Sequence, residues 1–388
     1  MIDTLDFNQI LNRENTNSFK YDARQDIFGR AEVIPLWVAD MDFAAPPAVS
    51  RVLAARAAHP IYGYTAYPDS LYDALICWLK RRHGWQVKRE WVVMCPGVVP
   101  SLHAAVMAFA KLGESVIVQP PVYFPFFSAV TNTGRQLVEN TLRLENSHYT
   151  IDFEHLEQCA ENARMLLLCS PHNPVGRVWR KDELKRLLQI ARRHDLIIFS
   201  DEIHADLVYP DCQHHLLATL ADDPGNIVTA VAPSKTFNIP GLNLSALIIP
   251  DARHRATVTK AFDTMHVSAA NPFSIVAFEA AYSEGEAWLK ALLAYLKDTR
   301  DFVTDFLAVK LPKIRLIAPQ GTYLLWLDCR ALGMNDAELK HFFVQEAGVG
   351  MSPGRLFGEA GSGFMRMNIG APRHVIADAL NCIVKAMK

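Results

Sequence analysis

No apolar run in this sequence is long enough to cross a bilayer: runs such as Met165–Cys169 and Leu196–Phe199 are of strand length. Neither sign of charge dominates, since 39 Lys and Arg stand against 41 Asp and Glu for a formal charge of -2. There is no basic block and no acidic tail, which speaks against nucleic acid or a membrane surface as partner. Cysteine is sparse, with 7 residues, no CxxC pair, and several (Cys95, Cys169) inside apolar runs. That usage suits reduced thiols acting as small hydrophobes in the cytoplasm. The opening Met1–Asp6 carries acidic residues and no apolar core, so it reads as neither a secretory signal nor a transit peptide. Internal repeats and low-complexity linkers are absent too. What is there is the balance of a folded globular chain: 388 residues, 50% apolar, 21% charged and 10% aromatic. That length predicts two domains, one of them large.

Between about residues 90 and 250, short Val/Ile/Leu runs alternate with longer amphipathic stretches. Trp91–Cys95, Ser115–Gln119, Arg164–Ser170, Asp195–Ser200, Asn226–Ala232 and Leu244–Ile249 read as strands, with helices over Gly97–Lys111 and Lys181–His194. Continuous apolar strands separated by helices predict an α/β fold, a mostly parallel sheet covered on both faces, with ligands at the strands' carboxyl ends. Pro272–Val309 reads as one long helical connection with few breakers. Beyond it, strands over Ile314–Ala318 and Thr322–Asp328 and helices near 335–346 and 373–387 predict a smaller α+β domain. The expected division is 1–50 as an arm and part of the small domain, 51–284 as the large domain, and 285–388 as the small domain.

Four strand ends carry chemistry. Pro96-Gly97-Val98-Val99 is a tight strand-to-helix turn whose free N–H groups suit a phosphate. Cys169–Gly176 brings Asn173, Phe199–His204 brings Asp201, and Ala232–Gly241 brings Ser234 and Lys235. Taken singly, each has a plain reading as a turn, a helix cap or a surface lysine. Together they supply what pyridoxal phosphate requires: a lysine for the imine, a carboxylate for the pyridine nitrogen, a donor to the ring hydroxyl oxygen, and a phosphate cradle. A metal cluster of His204, Asp206 and His214 can be imagined, but the imine chemistry already accounts for the site and no metal is expected.

Over its whole length the sequence resembles the class I/II aminotransferases of fold type I, pyridoxal-phosphate-dependent proteins. Ser-Pro-His-Asn-Pro-Val-Gly (170–176), Ser-Asp-Glu-Ile-His (200–204) and Ser-Lys-Thr-Phe-Asn-Ile-Pro-Gly (234–241) resemble one branch in particular. That branch is the cystathionine β-lyase-type C–S lyases of the MalY/PatB group. Pro35–Phe43, Ile61–Tyr64 and Gly363–Asn368 strengthen the match. The resemblance implies a lyase acting on cystathionine or other S-substituted cysteines, with an aminotransferase as the alternative and a regulatory protein-binding role beside catalysis as a further one. It implies that Lys235 carries the cofactor, Asp201 faces the pyridine nitrogen, Asn173 serves the ring hydroxyl, and His204 stands near that oxygen. Tyr123 would stack on the ring, and Gly97, Val98, Val99 and Ser234 would hold the phosphate. Arg366 would grip the substrate carboxylate beneath the backbone of Val38 and Ala39. Tyr64 would reach the cofactor phosphate of the neighbouring subunit, making a homodimer part of the active site. Pro121 and Pro174 are candidates for cis peptides. Many relatives have a phosphate-binding arginine where this sequence has Asn243.

Overall fold

A computed structural model describes residues 5–268 and 270–388, so Met1–Thr4 of the segment read for a targeting signal lie outside the described residues. The larger sheet has seven strands in the order Val92–Cys95, Ser245–Ile248, Ile227–Val231, Ile197–Asp201, Ala163–Cys169, Ser115–Val118 and Gln136–Glu139. Ser245–Ile248 runs antiparallel to both neighbours and every other pairing is parallel, as the continuous apolar runs predicted. Successive residues of a strand face opposite sides, so each central strand feeds two cores. Leu166, Leu168 and Ile198 join the core on one face, and Met165, Leu167, Ile197 and Phe199 the core on the other.

A second, antiparallel sheet runs Arg315–Leu316, Leu324–Asp328, Phe364–Asn368, Ser352–Pro353. The N-terminal segment joins this end of the molecule through the parallel pairing of Ile34–Pro35 with Val349–Gly350. Among the described residues no helix is long and apolar enough to cross a membrane.

Four expectations need correction. The predicted strand Ile314–Ala318 is only Arg315–Leu316, paired on one side with Leu327–Asp328. The predicted single helix over Pro272–Val309 is two, Pro272–Glu284 and Glu286–Lys310, broken at Gly285. A Cβ there would collide with the Phe237 ring and the Ala281 carbonyl, so close packing on the lysine-bearing segment decides the break. The predicted strand Thr322–Asp328 begins at Leu324, because Thr322 turns the chain with φ 68° and its hydroxyl oxygen accepts from Leu324 N at 3.0 Å. The predicted helix near 335–346 is α-helical only over Asp336–His341 and continues as a π turn, Phe342–Glu346. The sequence reading named neither the helices Pro47–Ala58, Asp69–His83 and Ala252–Thr264 nor the edge strand Gln136–Glu139 and the hairpin Arg143–Glu145 with His148–Thr150; these strands are short, polar and partly exposed.

Candidate active site

The larger sheet delivers its polar residues where strands end. After Val92–Cys95 the chain turns through Gly97, at φ 129° and ψ 160°, a geometry that favours glycine, and enters helix Val98–Phe109. First-turn N–H groups such as those of Val98 and Val99 have no intrahelical acceptor, and they stand at the positive end of the helix. Ala163–Cys169 leads into the turn holding Asn173, with cis bonds at Ser170-Pro171 and Asn173-Pro174; Pro120-Pro121 is cis as well. Ile197–Asp201 ends on Asp201 itself, and Ile227–Val231 leads into the short helix Pro233–Thr236 that carries Ser234 and Lys235.

These ends meet in one cleft enclosing about 860 Å³, part of it open to solvent. Its wall includes Ala39, Gly97, Val98, Val99, Tyr123, Asn173, Asp201, His204, Ser234 and Lys235, ten of the residues singled out in the sequence. Lys235 Nζ donates to the Ala39 carbonyl at 2.7 Å. Burial pushes its amine down to about 8, with Arg366 pulling the same way and Asp40 and Asp201 opposing. Asp201 accepts from Ile203 N at 3.2 Å. Burial and the adjacent Glu202 push its carboxyl up to about 7, against the Ile203 N–H and Lys235. His204 is held neutral, its ring pushed down to about 3 by burial and then by Lys235 and Arg366, and its Nδ1 has no partner.

Arg366 comes from the other sheet and lies 4.8 Å over the Phe357 ring. Its Nη1 donates to Asn173 Oδ1 at 3.1 Å, and its Nη2 to the Trp37 carbonyl at 2.8 Å and Ser352 Oγ at 3.3 Å, while Nε has no partner. Burial brings this guanidinium down to about 10, with Tyr123 and Tyr323 opposing. Tyr123 is tied to the Asn173 turn by its backbone N–H, which donates to the Asn173 carbonyl at 3.1 Å.

Val38 and Ala39 lie on a strap, Trp37–Phe43, held from both sides. Asn368 Nδ2 donates to the Val38 carbonyl at 2.5 Å and the Asp40 carbonyl at 2.6 Å. Asn238 Nδ2 donates to the Met41 and Phe43 carbonyls at 2.9 and 2.8 Å. The Ala39 carbonyl also accepts from Tyr323 Oη at 2.9 Å. Tyr64 is the one singled-out side chain that stands apart: it is fully exposed and borders a neighbouring cavity, which shares Pro96 and Asn243 with the cleft.

His204, Asp206 and His214 do not converge. Asp206 bonds His83, Trp78 and Thr236, and His214 Nε2 bonds Glu202 at 2.8 Å. Among the described residues no three His, Cys, Asp or Glu are grouped to hold a metal. Pyridoxal phosphate is a different matter. An amine resting on a carbonyl, a buried carboxyl with a single N–H donor, an orphaned imidazole nitrogen and an orphaned guanidinium N–H are groups whose partners a ligand would supply. They fit an aldehyde, a ring nitrogen, a ring oxygen and a substrate carboxylate, with the helix turn at Gly97 left for a phosphate. The sequence reading missed Tyr323, Ser352 and Phe357. Asn238 and Asn368 lie inside the motifs that carry the resemblance, which was the signal that could have found them.

The family described as aminotransferase class I and II matches residues 31–383. Cystathionine beta-lyase PatB of Bacillus subtilis is 40% identical, covering 99% of this chain and 100% of its own. Protein MalY of Escherichia coli is 31% identical over 99% of both chains. A crystal structure of a PLP-bound putative aminotransferase from Clostridium difficile 630 superposes with TM-score 0.97 at 39% identity, covering 99% of this chain and 100% of that one. The chain therefore belongs to the class I and II aminotransferase family, in the branch that holds PatB and MalY.

Proposed function

We propose that the chain is a pyridoxal-phosphate-dependent C–S β-lyase, cleaving L-cystathionine or a related S-substituted cysteine with water to a thiol, pyruvate and ammonia. The observation that carries this reading is the convergence of Lys235, Asp201 and Asn173 on one cleft, with Arg366 bonded to Asn173 Oδ1 at its edge. Its direction towards lyase chemistry comes from the full-length likeness to a protein named cystathionine beta-lyase.

When bound, pyridoxal phosphate supplies the carbonyl that captures the substrate amine and the ring that draws electrons from Cα. The chain's residues do the rest. Arg366, already fixed by Trp37, Asn173 and Ser352, offers its unpaired Nε to the substrate carboxylate, as guanidinium geometry suits. Lys235, with its amine pushed down to about 8, is partly neutral near neutral pH and can take the Cα proton. Asp201 would hold a proton on the ring nitrogen, and Asn173 and His204 would orient the ring oxygen. Tyr123 would cover the ring, while Gly97, Val98, Val99 and Ser234 would hold the phosphate, without an arginine at Asn243. The strap at Val38 and Ala39 would cover the carboxylate.

Residues 51–284 form the cofactor-holding unit in this reading, and 285–388 with the arm bring Arg366. Tyr64 completes the site of a second copy, a role supported by the exposure of Ile61, Tyr62 and Tyr64 together. Seven unpaired cysteines suit the cytoplasm. An aminotransferase using the same residues is the second reading, favoured by the likeness to the Clostridium difficile protein, which is named a putative aminotransferase. The deciding experiment supplies L-cystathionine and pyridoxal phosphate, with no keto-acid acceptor. Equal release of pyruvate and thiol over many turnovers supports the lyase. At most one keto-acid equivalent per site supports the aminotransferase.

A further inference from the structure

The loop that leaves strand Ile197–Asp201 faces two ways. Asp201 and His204 look into the cleft, whereas Asp206 turns to the rear, where it is buried. Its carboxylate accepts from Trp78 Nε1 at 3.2 Å, His83 Nε2 at 2.8 Å and Thr236 Oγ1 at 3.2 Å, and Arg82 Nε lies at 3.8 Å. Trp78, Arg82 and His83 all belong to helix Asp69–His83, so one helix anchors the carboxylate independently of Thr236. Thr236 is fully buried and directly follows Lys235 on the short helix Pro233–Thr236. A threonine hydroxyl on a helix commonly returns to a carbonyl one turn back; this one donates to a carboxylate on another loop. Hydrogen bonds to a charged acceptor are the stronger kind.

We propose that Asp206, acting through Thr236, is a positioning residue for Lys235, locking the lysine-bearing turn to the loop that carries Asp201 and His204. The turn's own bonds, Phe237 N to the Pro233 carbonyl and Ile239 N to the Ser234 carbonyl, both 2.9 Å, fix its shape. Backbone pairing of Asp201 with Ala230, and the Glu202 N–H donating to the Ala230 carbonyl at 2.9 Å, set the two strand ends side by side. Beyond them the Thr236–Asp206 bond is a side-chain tie between the lysine-bearing turn and that loop, and Phe237 closes the same joint, edge-on to Trp78 at 5.6 Å. The inference rests on the placement of Lys235 in the proposed function and adds to it the device that sets the lysine's position.

Thr236→Val keeps the side chain's shape and removes the donor, whereas Thr236→Ser keeps the donor. In the full-length chain stripped of cofactor, the pH dependence of Lys235 acetylation by acetic anhydride, read by peptide mass spectrometry, reports the amine's surroundings. Thr236→Val should move its midpoint upward by about half a pH unit or more as the amine leaves its buried place, and Thr236→Ser should restore it. In the holoenzyme Thr236→Val should lower kcat about tenfold with KM little changed. Trp78→Phe removes another donor to Asp206 but leaves the tie, so it should leave the midpoint in place. The proposal is overturned if Thr236→Val keeps the wild-type midpoint and kcat, whatever its melting temperature, or if Trp78→Phe shifts the midpoint equally. Thr236→Ala takes the place of the valine variant if that one does not fold. A wild-type holoenzyme from which borohydride traps no cofactor on Lys235 would sink the cofactor reading instead, and the acetylation profile would still judge the tie.

Discussion

Asp201 and Asp206 leave the same strand end and are 6% and 5% exposed, yet their charge preferences are opposite. Asp201 has the Ile203 N–H and a like charge beside it in Glu202; burial dominates and its carboxyl rises to about 7. Asp206 suffers the same burial, but His83, Arg82 and Trp78 outweigh it and hold its carboxyl below the usual range. Burial alone therefore does not set the state of a buried acid; the count and charge of its donors do. Asp206 is saturated by its own chain, as a structural carboxylate must be. Asp201 is left short, so a cationic ligand has the most to gain there. Glu202, between them, follows the saturated pattern, accepting from Ser200 Oγ at 2.8 Å, Leu217 N at 2.9 Å and His214 Nε2 at 2.8 Å.

The largest way to test this contrast is Asp201→Asn. It preserves shape and removes the charge at the under-supplied position, so kcat for pyruvate release should fall by about 10²–10⁴-fold. A loss smaller than tenfold would break the assignment of Asp201 to the ring nitrogen. Next comes Asp206→Asn, which strips the charge that His83 and Arg82 face. Breaking such a buried cluster should destabilise the fold by about 3 kcal/mol, read by chemical denaturation. A smaller effect than that of Asp201→Asn on the same measurement would erase the distinction. Arg366 shares the under-supplied character through its unpaired Nε. Arg366→Lys loses the planar fork, so KM for the amino acid should rise about tenfold while the binding of pyridoxal phosphate alone is unchanged.

The floor of the cleft was legible in the sequence because its chemistry is local. Lys235, Asp201, Asn173 and Gly97 each lie at or just past an apolar strand, and a parallel sheet brings such ends to one edge. Arg366 and the strap came only through family resemblance, since no local pattern says that strand Phe364–Asn368 will face residues near 37. The partners of Asp206 were invisible for the same reason. Trp78 and His83 are separated from it in sequence by five of the seven strands of the large sheet, and their bonds exist only after it has formed. Ser352 stands in a strand of two residues that carries no periodicity, and Tyr323, read as part of a strand, gives no sign in sequence that its hydroxyl will meet the Ala39 carbonyl. The break at Gly285 could not be read from the helical pattern because the Phe237 ring that a Cβ there would meet comes from another element.

The smallest expected effect separates the two aspartates most cleanly, because its sign differs between them. In the chain without cofactor, Asp201 has a folded-state pKa of about 7, above the ordinary 3.8. The folded chain then binds more protons than the unfolded one between those values, so this residue makes stability fall as pH climbs from about 4 to about 7. Asp206 is shifted the other way. Its contribution is present above the ordinary carboxylate value and is lost as pH falls below it. Asp201→Asn, which cannot ionise, should therefore raise the melting temperature of the cofactor-free chain at pH 8 by a few degrees. The difference from wild type should shrink on acidification and vanish near pH 4. Asp206→Asn should lower the melting temperature at pH 8, and its deficit should narrow only below pH 4. Melting curves of the three proteins from pH 4 to pH 8, with and without pyridoxal phosphate, make the comparison. Bound cofactor should reverse the advantage of Asp201→Asn, because the wild-type carboxylate then has its cationic partner. If both variants were destabilised at pH 8 without cofactor, Asp201 would already be satisfied by the chain, and the contrast with Asp206 would not hold.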